Sequence, residues 1–302
     1  MLRTRNVRSR SRASPASIDQ LQKPVVISGM PGPNPLTILH SQAPLRVWSL
    51  IVTIFGDVVM DRGRDHHPAP VWTSDLMALL ALLGIDAGHA RTNLSRLVAN
   101  GTLQRGKDGR RTDYRLSTAS AADFARAAAV IYGADTHQPA GDMILAALDL
   151  CADRKAARLA LEADGFRFLS STLAMASRHE RVPDMPLTNE VIFAVATSTP
   201  ALRSAVNKLW HLDDLNHAYS RFVTAFDPVT GALEPEEAVI LRIVVTHMFR
   251  RLVLRDPLLP AAMLPADWQG HAARAVFMRQ IKRTARSSDV WFSRHGFHTP
   301  TS

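Results

Sequence analysis

The spacing of apolar residues between positions 45 and 116 predicts three helices followed by a two-stranded hairpin. Residues 45–60 are apolar over much of a helical surface, which indicates a buried first helix. A second apolar helix covers residues 74–83, and residues 71–73 offer a short strand that would pair with the hairpin. Three helices and a hairpin in this order are typical of a winged helix-turn-helix.

The third helix, within residues 84–101, has one apolar and one polar face. Asp86 is placed to cap its start, and Asn100-Gly101 supplies a left-handed stop. The polar face carries hydrogen-bond donors that could reach DNA bases. The apolar residues at helical spacing are Ala90, Leu94, Leu97 and Val98, and the residues of the opposite face are His89, Arg91, Thr92, Ser95 and Arg96.

The hairpin predicted after this helix has a cationic tip. Residues 102–105 and 112–116 alternate as short strands, and residues 106–111 join them through the turn dipeptide Asp108-Gly109. Lys107, Arg110 and Arg111 are then expected at the tip.

This arrangement of residue types is suited to reading duplex DNA. Phosphate contacts position a protein on DNA, whereas arginine and short polar side chains can reach base edges in the major groove. An alternative remains open, in which the basic helix is a solvated surface of a winged domain used for protein contacts. The candidates for groove contacts are Arg91, Thr92, Ser95 and Arg96, and those for phosphate contacts are Lys107, Arg110 and Arg111.

Charge is concentrated in the first part of the chain. Residues 1–118 hold 16 basic and 8 acidic residues, a net charge of +8, whereas residues 119–302 hold 20 and 19. This asymmetry favours nucleic acid as the partner of the first part. Residues 1–42 lack periodicity and are expected to be a disordered basic leader, either a solvated segment or an arm that adds phosphate or minor-groove contacts. Its arginines are Arg3, Arg5, Arg8, Arg10 and Arg12.

The rest of the chain predicts an α+β segment and then a helical segment. Strand-like and helical runs between residues 143 and 210 follow the order β-α-β-β-α, which favours a ferredoxin-like domain that serves in dimerisation or as a spacer. We therefore predict a mainly α protein with α+β parts. Its divisions are the leader (1–42), a winged helix-turn-helix (43–118), a linker helix with the ferredoxin-like domain (119–212) and a C-terminal helical domain (213–302).

Little in the sequence points to an enzyme or to a metal site. His66-His67 and the group Asp213, Asp214 and His217 are better explained as a solvated loop and a helix start. The second hypothesis is a metal-dependent nuclease. The middle domain resembles the small CRISPR-adaptation nucleases, and Asp149 ends its first strand. With a single cysteine and no apolar run of about 18 residues, we expect a cytoplasmic protein without a membrane segment.

Several motifs, in order, resemble the PaaX family of phenylacetic-acid catabolism regulators. The resemblance covers about residues 45–292, and the leader and the Ala- and Leu-rich middle domain depart from it. Its motifs are residues 49–57 (SLIVTIFGD), 90–98 (ARTNLSRLV), 109–116 (GRRTDYRL), 131–133 (IYG), 254–260 (LRDPLLP) and 264–268 (LPADW).

The resemblance implies a transcriptional repressor and no enzyme. It implies a homodimer on a palindromic double-stranded operator, released by an aryl-CoA thioester such as phenylacetyl-CoA or another acyl-CoA, with no bound cofactor. Such an effector needs cations for its phosphates and an apolar slot. Arginines near a helix C-terminus already have a structural explanation in the helix dipole, so no effector-binding residue is assigned. The residues considered are Arg250, Arg251, Arg255 and Trp268.

Overall fold

A computed structural model describes residues 32–41, 44–59, 70–133, 143–177 and 190–297. Within these ranges the protein is mainly helical with two small antiparallel sheets. The helices are α1 (Pro35–His40), α2 (Val47–Ile54), α3 (Thr73–Leu82), α4 (Ala87–Ala99), α5 (Thr118–Tyr132), α6 (Arg154–Ala163), α7 (Pro200–Trp210), α8 (Leu212–Phe226), α9 (Pro235–Val253) and α10 (Gly270–Arg294). The strands are β1 (Val71–Trp72), β2 (Leu103–Asp108), β3 (Arg111–Leu116), β4 (Met143–Ala147), β5 (Arg167–Phe168), β6 (Leu173–Ser177) and β7 (Ile192–Ala196).

Two sequence-based interpretations lie outside the described residues. They are the basic leader with its arginines, up to residue 31, and the His66-His67 pair. The described end of the predicted leader is not disordered, because α1 forms there and buries Leu39. None of the helices in the described ranges combines the length and the hydropathy that a membrane-spanning helix needs.

The N-terminal part has the predicted order of three helices and a hairpin. Helix α2 ends at Ile54 and continues as one π-helical turn, Phe55–Val59. Strand β1 pairs with β3, which in turn pairs with β2, so the short strand before α3 completes a three-stranded sheet.

The hairpin differs from its prediction in the length of its strands. Asp108 faces Arg111 in the ladder, so the connecting turn consists only of Gly109 and Arg110. Gly109 has φ of 54°, which a two-residue hairpin turn requires and glycine adopts without strain. Lys107 therefore lies in strand β2, directly before Asp108, and not in a loop.

The middle segment forms a four-stranded antiparallel sheet in the order β5-β6-β4-β7. Residues 166–177 supply two of these strands, and α7 follows β7. Helix α6 begins after Asp153, whose carboxylate accepts a 2.9 Å hydrogen bond from the backbone N–H of Ala156. Whether the segment is a ferredoxin-like domain that serves in dimerisation stays a prediction.

The C-terminal part is built on α9, which begins with a capping box. Glu234 accepts from the backbone of Glu237, and Glu237 accepts in return from the Glu234 backbone N–H at 3.0 Å. Pro235 occupies the first turn, where its missing N–H costs no hydrogen bond within the helix. Helices α8 and α10 pack against α9.

The sequence predicts a last helix that Asp267 caps and that ends at about residue 285. Helix α10 differs at both ends, because Gln269 precedes its first residue and it extends to Arg294. The apolar pattern does not predict this extension, because the buried face includes the polar residues Thr284 and Ser288. Their hydroxyls donate to carbonyls of their own helix. Such internal hydrogen bonds let short polar residues enter a core, here beside Trp291 and Phe292.

One hydrophobic core runs through the N-terminal and C-terminal parts. It includes Ile51 of α2, Leu94 of α4, Val244 of α9 and Phe277 of α10, all fully buried. Helix α9 contacts α1, α2, α5, α8 and α10, and so forms the centre of this core. The predicted domain boundaries stay a prediction, but the described parts of residues 43–118 and 213–297 bury their apolar faces against each other.

Candidate nucleic-acid interface

The turn between α3 and α4 is tight and is supported from outside by α1. Gly84 has φ of 74°, and a Cβ at this position would lie 2.9 Å from Nε2 of His40. The same Nε2 is 3.0 Å from the carbonyl oxygen of Leu83 and donates to it. A side chain at Gly84 would therefore meet both backbone strain and a steric conflict.

The start of α4 is capped as the sequence predicts. The Asp86 carboxylate accepts hydrogen bonds from the backbone N–H groups of Gly88 and His89, at 2.8 and 3.1 Å. The bonds from His89 and then Gly88 lower the pKa of Asp86, because they stabilise its charged form. The cap sets where α4 begins and thus which residues face outward.

The two faces of α4 are separated as predicted. Ala90, Leu94 and Leu97 are buried, whereas Val98 is only half-buried. The hydroxyl of Thr92 donates to the Gly88 carbonyl at 2.9 Å, which leaves its oxygen able to accept from a ligand. All of the predicted groove candidates are exposed on the opposite face: Arg91, Thr92, Ser95 and Arg96.

The hairpin presents its three predicted cations to solvent. Lys107, Arg110 and Arg111 are exposed, and the guanidinium carbon of Arg111 lies 4.2 Å above the centre of the Trp72 ring. This cation–π contact holds Arg111 against β1. The hairpin is also tied to α3, because the Thr73 hydroxyl donates to the Thr112 carbonyl at 2.8 Å.

Two features of the hairpin were missed in the sequence. Arg105 is exposed on β2, two residues before Lys107, and strand alternation could have identified it as a further cation on that face. Asp113 is 3% exposed and binds Arg115 at 2.9 Å, so Arg115 is committed to an internal ion pair. A Cβ at Gly106 would lie 2.4 Å from the Asp113 carboxylate, which explains a glycine in this strand.

Helix α4 rests on α2, which is held in turn by α9. The Arg250 guanidinium donates to the Ser49 hydroxyl at 2.8 Å and to the Thr53 hydroxyl at 2.9 Å. Nδ1 of His247 lies 2.9 Å from the same Thr53 oxygen. Burial, and then the positive charges of Arg250 and Arg251, lower the pKa of His247 to about 3, so this imidazole is neutral at physiological pH.

The four residues considered for an effector have separate environments. Arg250 has the structural role just described, and Trp268 packs edge-on against Tyr219, 5.5 Å between ring centres. Arg251 and Arg255 line a groove of about 270 Å³ between α1, α8 and α9. Arg255 also lines a larger cleft of about 960 Å³ between the middle sheet and the end of α9.

The residues considered for metal-dependent chemistry are scattered. Asp149 is exposed in the turn after β4, and the Asp213 side chain accepts a 2.9 Å hydrogen bond from Asn207. In the part of the chain that the structure describes, no three His, Cys, Asp or Glu side chains are grouped closely enough to hold a metal ion.

Comparisons with known proteins match both ends of the chain. Residues 46–120 match the family described as PaaX-like protein, and residues 210–294 match the PaaX-like protein C-terminal domain. The transcriptional repressor PaaX of Escherichia coli (strain K12) is 33% identical over 276 residues, which cover 84% of this chain and 85% of that protein.

A solved structure shows the same fold. The uncharacterized protein Rv0674 from Mycobacterium tuberculosis aligns with a TM-score of 0.50 and 24% sequence identity, over 80% of this chain and 97% of that one. The first family match contains the elements from α2 to β3, which we call the head and which include the exposed face of α4 and the cationic hairpin. The second contains α8, α9 and α10. With these matches, and with a repressor that is one-third identical over most of both chains, the protein belongs to the PaaX-like family.

Proposed function

We propose that this protein is a transcriptional repressor that binds double-stranded operator DNA through α4 and the β2–β3 hairpin. The observation that carries the proposal is the exposure of Arg91, Thr92, Ser95 and Arg96 on one face of α4, opposite the buried face. The similarity to a repressor over most of the chain supports it. Neither the relative nor the family is enzymatic, and the same is true of this chain.

Each group of residues has its own part in the proposed contact. Arg91 and Arg96 have planar guanidinium groups that can donate two parallel hydrogen bonds to one guanine edge, and Thr92 and Ser95 add short donors and acceptors. Lys107, Arg110 and Arg111 neutralise phosphates on the flanking backbone. The excess charge of residues 1–118 attracts DNA from a distance.

The proposal extends to what controls the repressor. We propose that it acts as a homodimer on a palindromic operator of an aromatic-acid catabolic operon of the phenylacetate type. Helix-turn-helix proteins read two half-sites with two symmetric copies, which supports the dimer. Its resemblance to the PaaX family supports release of the operator by an aryl-CoA thioester such as phenylacetyl-CoA.

A binding experiment tests the proposal directly. The full chain is titrated by fluorescence anisotropy into duplexes from its own promoter region and into scrambled duplexes of equal composition, at one fixed salt concentration. We expect a preference for the promoter duplex that phenylacetyl-CoA reduces. Equal affinity for both duplexes, or equal affinity of wild-type protein and Arg91→Ala/Arg96→Ala protein, would refute sequence-specific binding through α4.

A further inference from the structure

The groove between α1, α8 and α9 has a cationic rim and an apolar floor. Its volume is about 270 Å³. Phe222 and Leu252 are buried in its floor, and Ile38 and Met248 are half-buried there. The rim is formed by three exposed arginines from two helices and the segment after α9, namely Arg221, Arg251 and Arg255.

In the part of the chain that the structure describes, none of the three rim arginines forms an ion pair with a carboxylate. Arg251 lies in the last turn of α9, and Arg255 follows the helix. The Arg255 guanidinium donates to the backbone carbonyl of Arg251 at 2.8 Å, which holds the Arg255 side chain at the end of the helix. Burial, then the charges of Arg255 and Arg46, lower the pKa of Arg251. The repulsion between Arg251 and Arg255 is thus one cause of the lowered pKa, and a bound anion would reduce it.

We infer that this groove binds an organic anion with an apolar body, and that it is the effector-sensing site of the repressor. The inference rests on the proposed function for the identity of the effector. Guanidinium groups bind carboxylate and phosphate through two parallel hydrogen bonds, and the apolar floor receives the body of the ligand. The groove accommodates an aryl carboxylate whole, or one end of a CoA thioester.

Helix α1 connects this groove to the DNA-binding head. Ile38 faces the groove, and two residues later His40 donates to the carbonyl of Leu83 and fills the space beside Gly84 in the α3–α4 turn. A ligand against Ile38 therefore contacts the element that supports the turn before α4. The ligand shifts the equilibrium between two positions of α1, and with it the position of the head. The size of this shift is set by the difference in the binding free energy of the ligand for the two positions.

The larger cleft has a different electrostatic character. Its wall includes Glu162, Asp164 and Asp256 beside Arg158, Arg167 and Arg255, the last of which it shares with the groove. Arg158 is already bound to Glu162 at 3.0 Å and lies over the Phe168 ring. Because carboxylates lie beside its arginines, the cleft has a smaller excess of positive charge than the groove, and it is the weaker candidate for binding an anion.

Isothermal titration of the full chain without DNA tests the inference with three probes: phenylacetate, phenylacetyl-CoA and coenzyme A. We expect Arg221→Gln and Arg251→Gln each to raise the Kd about tenfold or more, since each removes a charged hydrogen-bond donor. Arg286→Gln, at an exposed arginine of α10, is the matched control, and Arg158→Gln reports on the cleft. Binding of phenylacetate identifies a carboxylate ligand, whereas binding of the two CoA probes alone identifies a phosphate end.

Two results would overturn the inference: no binding of any probe to wild-type protein, or unchanged Kd values in both groove variants. If those variants also keep operator release by phenylacetyl-CoA, the effector site lies elsewhere and the repressor proposal stands. If wild-type protein binds a probe through the arginines but has no preference for operator DNA, the proposed function fails while the groove assignment stands.

A second variant tests the connection through α1. His40→Ala removes the hydrogen bond to Leu83 but no side chain of the groove. We expect it to bind the probe with the wild-type Kd and to bind operator DNA, while the probe releases the operator less effectively. Circular dichroism confirms that the variant is folded. Wild-type release by this folded variant would contradict the role of α1.

Discussion

The guanidinium of Arg242 in α9 donates two hydrogen bonds, of 2.9 and 3.0 Å, to the carboxylate of Asp57, which lies 185 residues earlier in the π-helical turn. Both side chains are almost wholly buried, 6% and 1% exposed. The Tyr132 hydroxyl donates a third bond to the same carboxylate at 2.6 Å. Burial lowers the pKa of Arg242, but the charge and hydrogen bonds of Asp57 together raise it further, so the guanidinium stays charged. It joins the DNA-binding head to the C-terminal helices at a defined position.

Replacing Asp57 with Asn should destabilise the protein strongly. The variant leaves a buried arginine without its carboxylate, a change that costs about 3–5 kcal/mol. Asp227→Asn, which breaks the exposed pair with Arg279, is the control and should cost less than about 1 kcal/mol. Urea unfolding followed by circular dichroism measures both. Similar losses in the two variants would mean that the buried pair contributes no more than a surface one.

Arg91→Ala and Arg96→Ala should each weaken operator binding and relax base preference. A bidentate contact to a base contributes about 1–3 kcal/mol of discrimination, or roughly 5- to 150-fold in Kd. Affinity for scrambled DNA should change much less. Arg126→Ala, at an exposed arginine of α5 paired with Asp123, should leave both affinities unchanged. An equal loss on both duplexes would assign Arg91 and Arg96 to phosphate contacts.

Lys107→Ala and Arg110→Ala should weaken binding to all duplexes and change its salt dependence. Each phosphate contact releases about one counterion, so each substitution should reduce the slope of log K against log salt concentration by about 1. Anisotropy titrations between 50 and 200 mM salt cover the range in which such slopes are measured. A slope that stays at its wild-type value would place the hairpin tip away from the DNA backbone.

Gly84→Ala should cost more stability than Gly101→Ala. Both glycines have positive φ, 74° and 77°, so each substitution imposes about 1–2 kcal/mol of backbone strain. Only the Cβ at position 84 meets another side chain, His40, whereas nothing lies within 4 Å of a Cβ at position 101. Thermal unfolding of the two variants gives the difference. Equal losses would show that α1 moves aside without cost.

His247 should make the folded state less stable at acidic pH. Its pKa is about 3 in the folded chain and 6.5 in the unfolded chain, so below pH 6.5 the unfolded chain binds a proton that the folded chain does not. The contribution of His247 to the free energy of unfolding is fully present above pH 6.5. As the pH falls from 6.5 toward 3, the free energy of unfolding decreases by up to about 1.4 kcal/mol per pH unit.

The variant His247→Gln isolates this effect. Glutamine keeps a hydrogen-bonding group near Thr53 but does not titrate. The difference in unfolding free energy between wild-type and variant protein should therefore shrink as the pH is lowered from 7.5 to 5. Parallel pH profiles would show that His247 does not control the acid sensitivity.

Local sequence patterns were sufficient to predict the order and type of the elements of the head. The 3.6-residue period of Ala90, Leu94 and Leu97 identified both faces of α4, and Asp86 identified its start. They failed where a short polar residue is buried, as at Thr284 and Ser288, because composition does not distinguish a hydroxyl bonded to its own helix from one in water. The hairpin bounds were wrong because a two-residue turn and a longer loop share the same Asp-Gly signal.

The sequence by itself determined the order of the elements, the exposed and buried faces of α4, and the charge that concentrates in the first 118 residues, because each depends on neighbours within a few positions. Only the tertiary structure decided that Arg250 is bound to Ser49 and Thr53 while Arg251, the next residue, faces a groove. The physical reason is that successive side chains on a helix point about 100° apart, and which of them meets α2 depends on packing between segments 200 residues apart.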